Sequence, residues 1–72
     1  MPLVEVSMIE GRSPQQIRSL HEAMTAAVET TLGVPRESVW VVIRELPATS
    51  WAEGGVTIAE RRAAAAAKPK VA

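Results

Sequence analysis

Residues 38–46 read Ser-Val-Trp-Val-Val-Ile-Arg-Glu-Leu. On a strand, Val39, Val41 and Ile43 face one way while Trp40, Val42 and Arg44 face the other. A strand apolar on both faces is covered on both faces, so this one is expected at the centre of a sheet and not at its edge. Residues 2–9 show a second period of two, with Val4, Val6 and Met8 alternating against Leu3, Glu5 and Ser7, the pattern of a half-buried strand. Between the two, Ser13, Pro14 and Gln16 supply an N-cap, a proline at the first helical position and the partner that closes a capping box. A helix therefore starts at Pro14. Ile17, Leu20, Met24, Ala27, Val28 and Leu32 recur at spacings of three and four, while Gln15, Arg18, Glu22, Glu29 and Thr30 fall elsewhere around the wheel. Gly33 stops the helix and Pro35 prevents its continuation. A helix of roughly 19 residues between two strands closes compactly as a right-handed β-α-β crossover with the strands parallel. Such a sheet has one helix layer of its own, and its other side calls for a second chain.

Downstream, Pro47 ends the strand and residues 48–53 form a loop carrying Trp51. Gly54-Gly55 permits positive φ ahead of the β-like run Val56-Thr57-Ile58, which forms a small hairpin or pairs with a neighbouring subunit. Residues 59–67 are alanine-rich, with Glu60, Arg61 and Arg62, and favour a marginal helix without an apolar stripe, fraying into a disordered Lys68-Pro69-Lys70 end. The expected fold is α+β: parallel β-α-β, a short C-terminal hairpin and a helix, assembled as an oligomer. Residues 1–62 form the domain and residues 63–72 an Ala/Lys-rich, partly disordered tail.

Composition sharpens the expectation of assembly. A chain of 72 residues is marginal alone, and the usual reinforcements of so small a scaffold are disulfides, a structural metal or oligomerisation. With no cysteine and the single histidine His21, the first two are not expected. Apolar residues make up 47% of the sequence, too many for a disordered chain, yet only Trp40 and Trp51 are aromatic, too few for one large apolar centre. The formal net charge is zero, which disfavours nucleic acid and anionic membranes as partners. No apolar run reaches the ~18–20 residues of a membrane span, and the N-terminus lacks the regions of a signal peptide, so a cytoplasmic location is expected.

Most catalytic parts are missing: no cysteine, no glycine-rich phosphate loop, no second histidine. His21 sits between apolar helix positions without an adjacent carboxylate pair and reads as a surface or interface histidine. Pro2 is different. Removal of Met1 leaves a secondary amine at the head of a strand, a group no internal residue supplies. A free α-amino group has a pKa near ~7.7–8.0, and an apolar site or a nearby arginine lowers it, which makes it a base at cellular pH.

Pro2-Leu3-Val4-Glu5-Val6, then Met8-Ile9-Glu10-Gly11-Arg12-Ser13 entering a helix, then Ser38-Val39-Trp40-Val41-Val42-Ile43-Arg44-Glu45, then Trp51-Ala52-Glu53-Gly54-Gly55, together resemble the 4-oxalocrotonate tautomerase family. The resemblance spans residues 2–62, and its most specific parts are the terminal proline and the Glu10-Gly11-Arg12-Ser13 junction. It implies a β-α-β subunit, commonly built into a hexamer, that needs no cofactor and no metal and moves a proton between carbon atoms of a small 2-oxo or 2-enol acid. Carried onto this sequence, Pro2 takes the place of the general base and Arg12 that of the arginine gripping the substrate carboxylate. Trp51 takes the aromatic wall, and Ser38 a position near the substrate. Trp40 stands where the best-known members place a second arginine, which favours a substrate with one carboxylate and an apolar remainder; Arg44, on the same strand face, lies about ~13 Å away. Alternatives on the same scaffold are dehalogenation or hydration and decarboxylation, which need a water-activating carboxylate that the sequence does not clearly place. Outside enzymology stands a non-catalytic assembly module in which Trp40 and Trp51 only join subunits.

Overall fold

Alternation in the first segment and the apolar run in the second produce two strands, β1 at Leu3–Ile9 and β2 at Trp40–Leu46, in a computed structural model that describes residues 1–67. They pair in parallel, with Leu3 opposite Trp40 and Ile9 opposite Leu46. This register puts Val4 and Val6 beside Val41 and Ile43, all half-buried, and leaves Leu3, Glu5 and Ser7 with Trp40, Val42 and Arg44 on the opposite face, all exposed. Arg44 pairs with Glu5 there at 3.3 Å.

The crossover is α1, Pro14–Leu32. Its capping box is complete: the Gln16 N–H donates to Ser13 Oγ at 3.1 Å and the Ser13 N–H to Gln16 Oε1 at 2.9 Å. At the other end Gly33 takes the left-handed conformation (φ 64°, ψ 38°), and its N–H donates to the Glu29 carbonyl at 3.0 Å. Ile17, Leu20, Met24 and Val28 are half-buried as their spacing requires, joined by His21 and Thr25. Ala27 and Leu32, expected on the packed stripe, are exposed. Ala27 lies about a quarter turn from the centre of the stripe at ~100° per residue. Leu32 ends a helix of roughly 28 Å laid along strands of roughly 23 Å, so it overhangs. Arg36, in the 3₁₀ turn Arg36–Ser38, ties the return loop to α1 through Glu22 and through Glu29 at 3.7 Å. Its guanidinium bonds hold the Glu22 carboxyl below the usual carboxylate range.

Within one chain the sheet has two strands, so β2, expected to be central, has a free edge and an uncovered face. Trp40 is 53%, Leu3 52% and Val42 39% exposed, and no described residue is fully buried. The chain extends 53 × 27 × 20 Å with a radius of gyration of 17.2 Å, against about 11 Å for a globular chain of this length. The double coverage that the sequence of β2 demands is not supplied by its own chain.

After Pro47 a 3₁₀ turn at Ala48–Ser50 leads into Trp51 and an antiparallel hairpin of β3, Ala52–Glu53, and β4, Val56–Thr57. Gly54 (φ 58°) and Gly55 (φ 82°) make its turn, a conformation that two consecutive side-chain-bearing residues adopt only with strain. Helix α2, Ile58–Ala67, follows without a break. Ile58, expected in the strand, is its first residue because Thr57 and Glu60 form a second capping box. The Glu60 N–H donates to Thr57 Oγ1 and the Thr57 N–H to a Glu60 carboxylate oxygen, both at 3.0 Å. These bonds, the backbone one foremost, pull the Glu60 carboxyl below the ordinary range. Its stabilising contribution is therefore present above that range and fades as pH falls through the lowered value. Thr57→Ala should cost about 1 kcal/mol of helix stability, visible as lost ellipticity and a lower melting temperature, and an unchanged melt would dismiss the cap. The alanine-rich segment is helical as far as Ala67; the expected disordered Lys68-Pro69-Lys70 end lies outside the described residues. No helix among the described residues is long and apolar enough to cross a membrane.

Candidate active site

At the C-terminal end of β1 the chain leaves the sheet through Glu10 and Gly11, whose φ of 128° is open to glycine, and Arg12 sits on the bend immediately before the Ser13 cap. The Glu10 N–H donates to the Leu46 carbonyl at 2.8 Å, which anchors this bend to the end of β2. From the other side, the Ile58 N–H donates to the Trp51 carbonyl at 2.8 Å, folding α2 back over the hairpin. Between the two elements lies an open cleft of about 590 Å³ lined by Arg12, Glu10, Trp51, Glu53, Ile58 and Arg62, with Met8 and Ile9 behind them. Its volume falls in the range of small-molecule sites, ~300–1,000 Å³.

Arg12 and Arg62 are the groups of the cleft that attract an anion, and Glu10 and Glu53 share its lining. Arg12 lies at the N-terminal end of α1, whose positive dipole end it reinforces instead of neutralising, and α1 carries no acidic residue in its first turn. Neither Arg12 nor Arg62 makes an ion pair among the described residues. Trp51 is half-buried and, with Ile58, Met8 and Ile9, supplies an apolar wall against which a bound acid is shielded from water.

Of the five residues carried over from the sequence, Arg12 and Trp51 meet in this cleft. Pro2, Ser38 and Trp40 cluster at the opposite end of the sheet. Pro2 is half-buried, and its carbonyl accepts the Trp40 N–H at 2.9 Å. The Ser38 hydroxyl donates to the Pro35 carbonyl at 2.7 Å and is engaged in its own turn. From Pro2 to Met8 the chain runs six residues of extended strand, roughly 20 Å, so Pro2 and Arg12 of one chain do not reach the same small molecule.

Three cleft residues are additions to the sequence reading. Arg62, which the sequence places on a marginal helix without an apolar stripe, lines the cleft of its own chain. Glu10 and Glu53 place two carboxylates in it, where the sequence had located none. The signals were there: Glu10 is two residues from Arg12, Thr57-Ile58-Ala59-Glu60 spells a capping box that turns α2 back, and Glu53 follows Trp51 by two on an extended segment. Arg44, the one basic residue of β2, points to the uncovered sheet face and is engaged with Glu5.

Comparison with known proteins identifies the family and the fold. The family model described as tautomerase enzyme matches residues 2–61. A probable tautomerase of Ralstonia nicotianae is 48% identical over 56 residues, covering 78% of this chain and 80% of its own. A probable tautomerase of Bacillus cereus is 41% identical over 61 residues, covering 85% of this chain and all of its own length (100%). Among solved structures, TomN, a 4-oxalocrotonate tautomerase homologue in the tomaymycin biosynthetic pathway, superposes with a TM-score of 0.83 at 52% identity, covering 86% of this chain and 95% of that one. A heterohexameric 4-oxalocrotonate tautomerase from Chloroflexus aurantiacus gives 0.79 at 40% identity, covering 83% and 97%. In fold and in sequence alike, this chain belongs to the 4-oxalocrotonate tautomerase family.

Proposed function

We propose that this protein is a cofactor-independent tautomerase of small 2-oxo or 2-enol acids, and that its site forms between chains of a homo-oligomer, a hexamer by family likeness. The observation that carries this reading is the cleft in which Arg12, free of protein carboxylate partners among the described residues, faces the apolar wall of Trp51 and Ile58. Pro2 lies roughly 20 Å from that cleft along its own strand, so the base over each cleft comes from a neighbouring chain. The exposed Leu3, Trp40 and Val42 around Pro2 give that neighbour an apolar surface to bury.

In the assembled site, Arg12 holds the substrate carboxylate with charge-assisted hydrogen bonds. The neutral amine of Pro2, freed by removal of Met1, takes the proton from the enol oxygen or from carbon and returns it to another carbon of the conjugated system. The guanidinium also draws the electron density that develops on the acid during transfer, an interaction strengthened where the apolar wall excludes water. Trp40 and Ser38 accompany Pro2 and approach the substrate from the same neighbouring chain.

The test is a screen of enol and 2-oxo acids for ketonisation by the Met-processed protein, repeated with Pro2→Ala. No turnover of any of them by the processed chain would sink the reading. Light scattering at micromolar concentration should show a mass several times 7.7 kDa. A folded monomer would leave Pro2 and Arg12 apart and would exclude the shared site.

A further inference from the structure

Arg62 enters the cleft from α2, across from the bend that carries Arg12, and the fold fixes it there from three directions. It stands four residues after Ile58, so the two side chains share one face of the helix, and both line the cleft. The Thr57–Glu60 capping box sets the residue at which that helix starts, and the Ile58 N–H holds its first turn to the Trp51 carbonyl at 2.8 Å. Arg61 Nη2 donates to the Glu53 carbonyl at 3.1 Å, which opposes rotation of the helix about its axis. One arginine thus clamps α2 to the hairpin and leaves the next one aimed at the cleft. Arg62 itself makes no ion pair or side-chain hydrogen bond among the described residues, and Glu10 and Glu53, which line the same cleft, do not take it as a partner.

We propose that Arg62 is a further catalytic residue, whose guanidinium donates to the oxygen on C2 of the substrate and stabilises the charge that develops there. The inference rests on the tautomerase reading for the reaction and for the roles of Pro2 and Arg12. One guanidinium satisfies a carboxylate with two parallel hydrogen bonds, so Arg12 suffices for the carboxylate and the second guanidinium is left for another oxygen. In a 2-enol acid that oxygen is the one on C2. When the amine of Pro2 takes the enol proton, the O–H bonding pair stays on this oxygen. It becomes the second bond of the C2 carbonyl as the C2–C3 π pair takes the same proton back from the amine at C3. Between the two transfers the C2 oxygen carries negative charge. Trp40 and Ser38, which accompany Pro2, bring no cation to it, and Arg44 is engaged with Glu5 on the uncovered sheet face. Arg62 supplies one, beside the apolar surface of Trp51 and Ile58, and remains protonated throughout, so the proton count is unchanged.

The experiment compares the Met-processed unmodified protein with Arg62→Ala and Arg62→Lys in two assays. The first is ketonisation of phenylenolpyruvate. The second is binding, read from Trp51 fluorescence, of phenylglyoxylate, which has a 2-oxygen and no enolisable hydrogen, and of phenylacetate, which lacks the 2-oxygen. Arg62→Ala should lower kcat roughly tenfold to a hundredfold, below the ~10²–10³ of an enclosed oxyanion donor because the cleft is open, with KM changed by no more than a few-fold. Arg62→Lys should recover part of the loss. The unmodified protein should bind phenylglyoxylate several-fold more tightly than phenylacetate, and Arg62→Ala should level the two. Alanine is the strongest helix former, so α2 should persist in that variant, with circular dichroism as the check. An unchanged kcat in Arg62→Ala would overturn the proposal and leave the tautomerase reading intact. Equal losses of affinity for the two acids would assign Arg62 to the carboxylate and overturn it too, whereas no ketonisation by the unmodified protein would end both readings.

Discussion

Turnover of an enol acid is expected to fall roughly a hundredfold to ten-thousandfold in a chain that keeps Met1 or carries a tag ahead of Pro2, the span that a positioned general base contributes. With any residue in front of it, the Pro2 nitrogen belongs to an amide. Its lone pair is then delocalised into the carbonyl, and the nitrogen is neither a base nor a proton donor. The fold should not register the change. Met1 is 85% exposed, and the bond that seats this end of β1 runs from the Trp40 N–H to the Pro2 carbonyl, downstream of the modified nitrogen. The extended chain should therefore melt and assemble like the processed one while losing activity, and intact mass identifies which form is in hand. Pro2→Ala should be less severe, because a primary amine remains while the ring that makes the amine secondary and holds its nitrogen rigidly in place is lost. Equal turnover by extended and processed chains would remove Pro2 from the chemistry altogether.

How far the sequence reaches depends on whether a feature is local. Ser13-Pro14-Gln16 and Gly33 define α1 because caps are short-range hydrogen bonds between near neighbours, and the structure makes each of them. The parallel register follows from a helix long enough to return the chain to the same end of the sheet. The double apolarity of β2 was legible too, but what it implies lies between chains: one chain leaves Trp40 and Val42 exposed and gives β2 a single neighbour. Arg12 and Trp51 were legible as parts of one site, whereas Glu53 and Arg62 were not. Their places depend on the hairpin turn at Gly54-Gly55 and on α2 starting at Ile58 instead of after it, a shift decided by the Thr57–Glu60 box. Moving the first residue of a helix by one rotates its side chains by about 100°, enough to carry an arginine from solvent into a cleft.

The second large effect separates a shared site from a self-contained one. Arg12→Ala should lower kcat/KM roughly tenfold to a hundredfold or more for every acid, since a hydrogen bond to a charged group contributes ~1.5–3 kcal/mol and each ~1.4 kcal/mol is a factor of ten. Arg62 lines the same cleft and can catch a carboxylate at a poorer angle, which sets a floor to the loss. Arg12→Lys should recover only part of it, because an ammonium does not reproduce the bidentate grip of the guanidinium. The decisive form of the experiment mixes two defective chains. Pro2→Ala and Arg12→Ala each impair one half of the chemistry, and within one chain these halves lie at opposite ends of β1, roughly 20 Å apart. If every site draws its proline from one chain and its arginine from another, random co-assembly of equal amounts gives about a quarter of the sites both intact groups, and activity returns to about that fraction of the unmodified protein. If both groups came from the same chain, no site in the mixture would hold the pair, and the mixture would be as inactive as its components. Co-expressing the two variants and comparing their turnover with that of each alone reads the answer. A mixture no better than its parts, once shown by mass to contain both chains in one oligomer, would end the two-chain site.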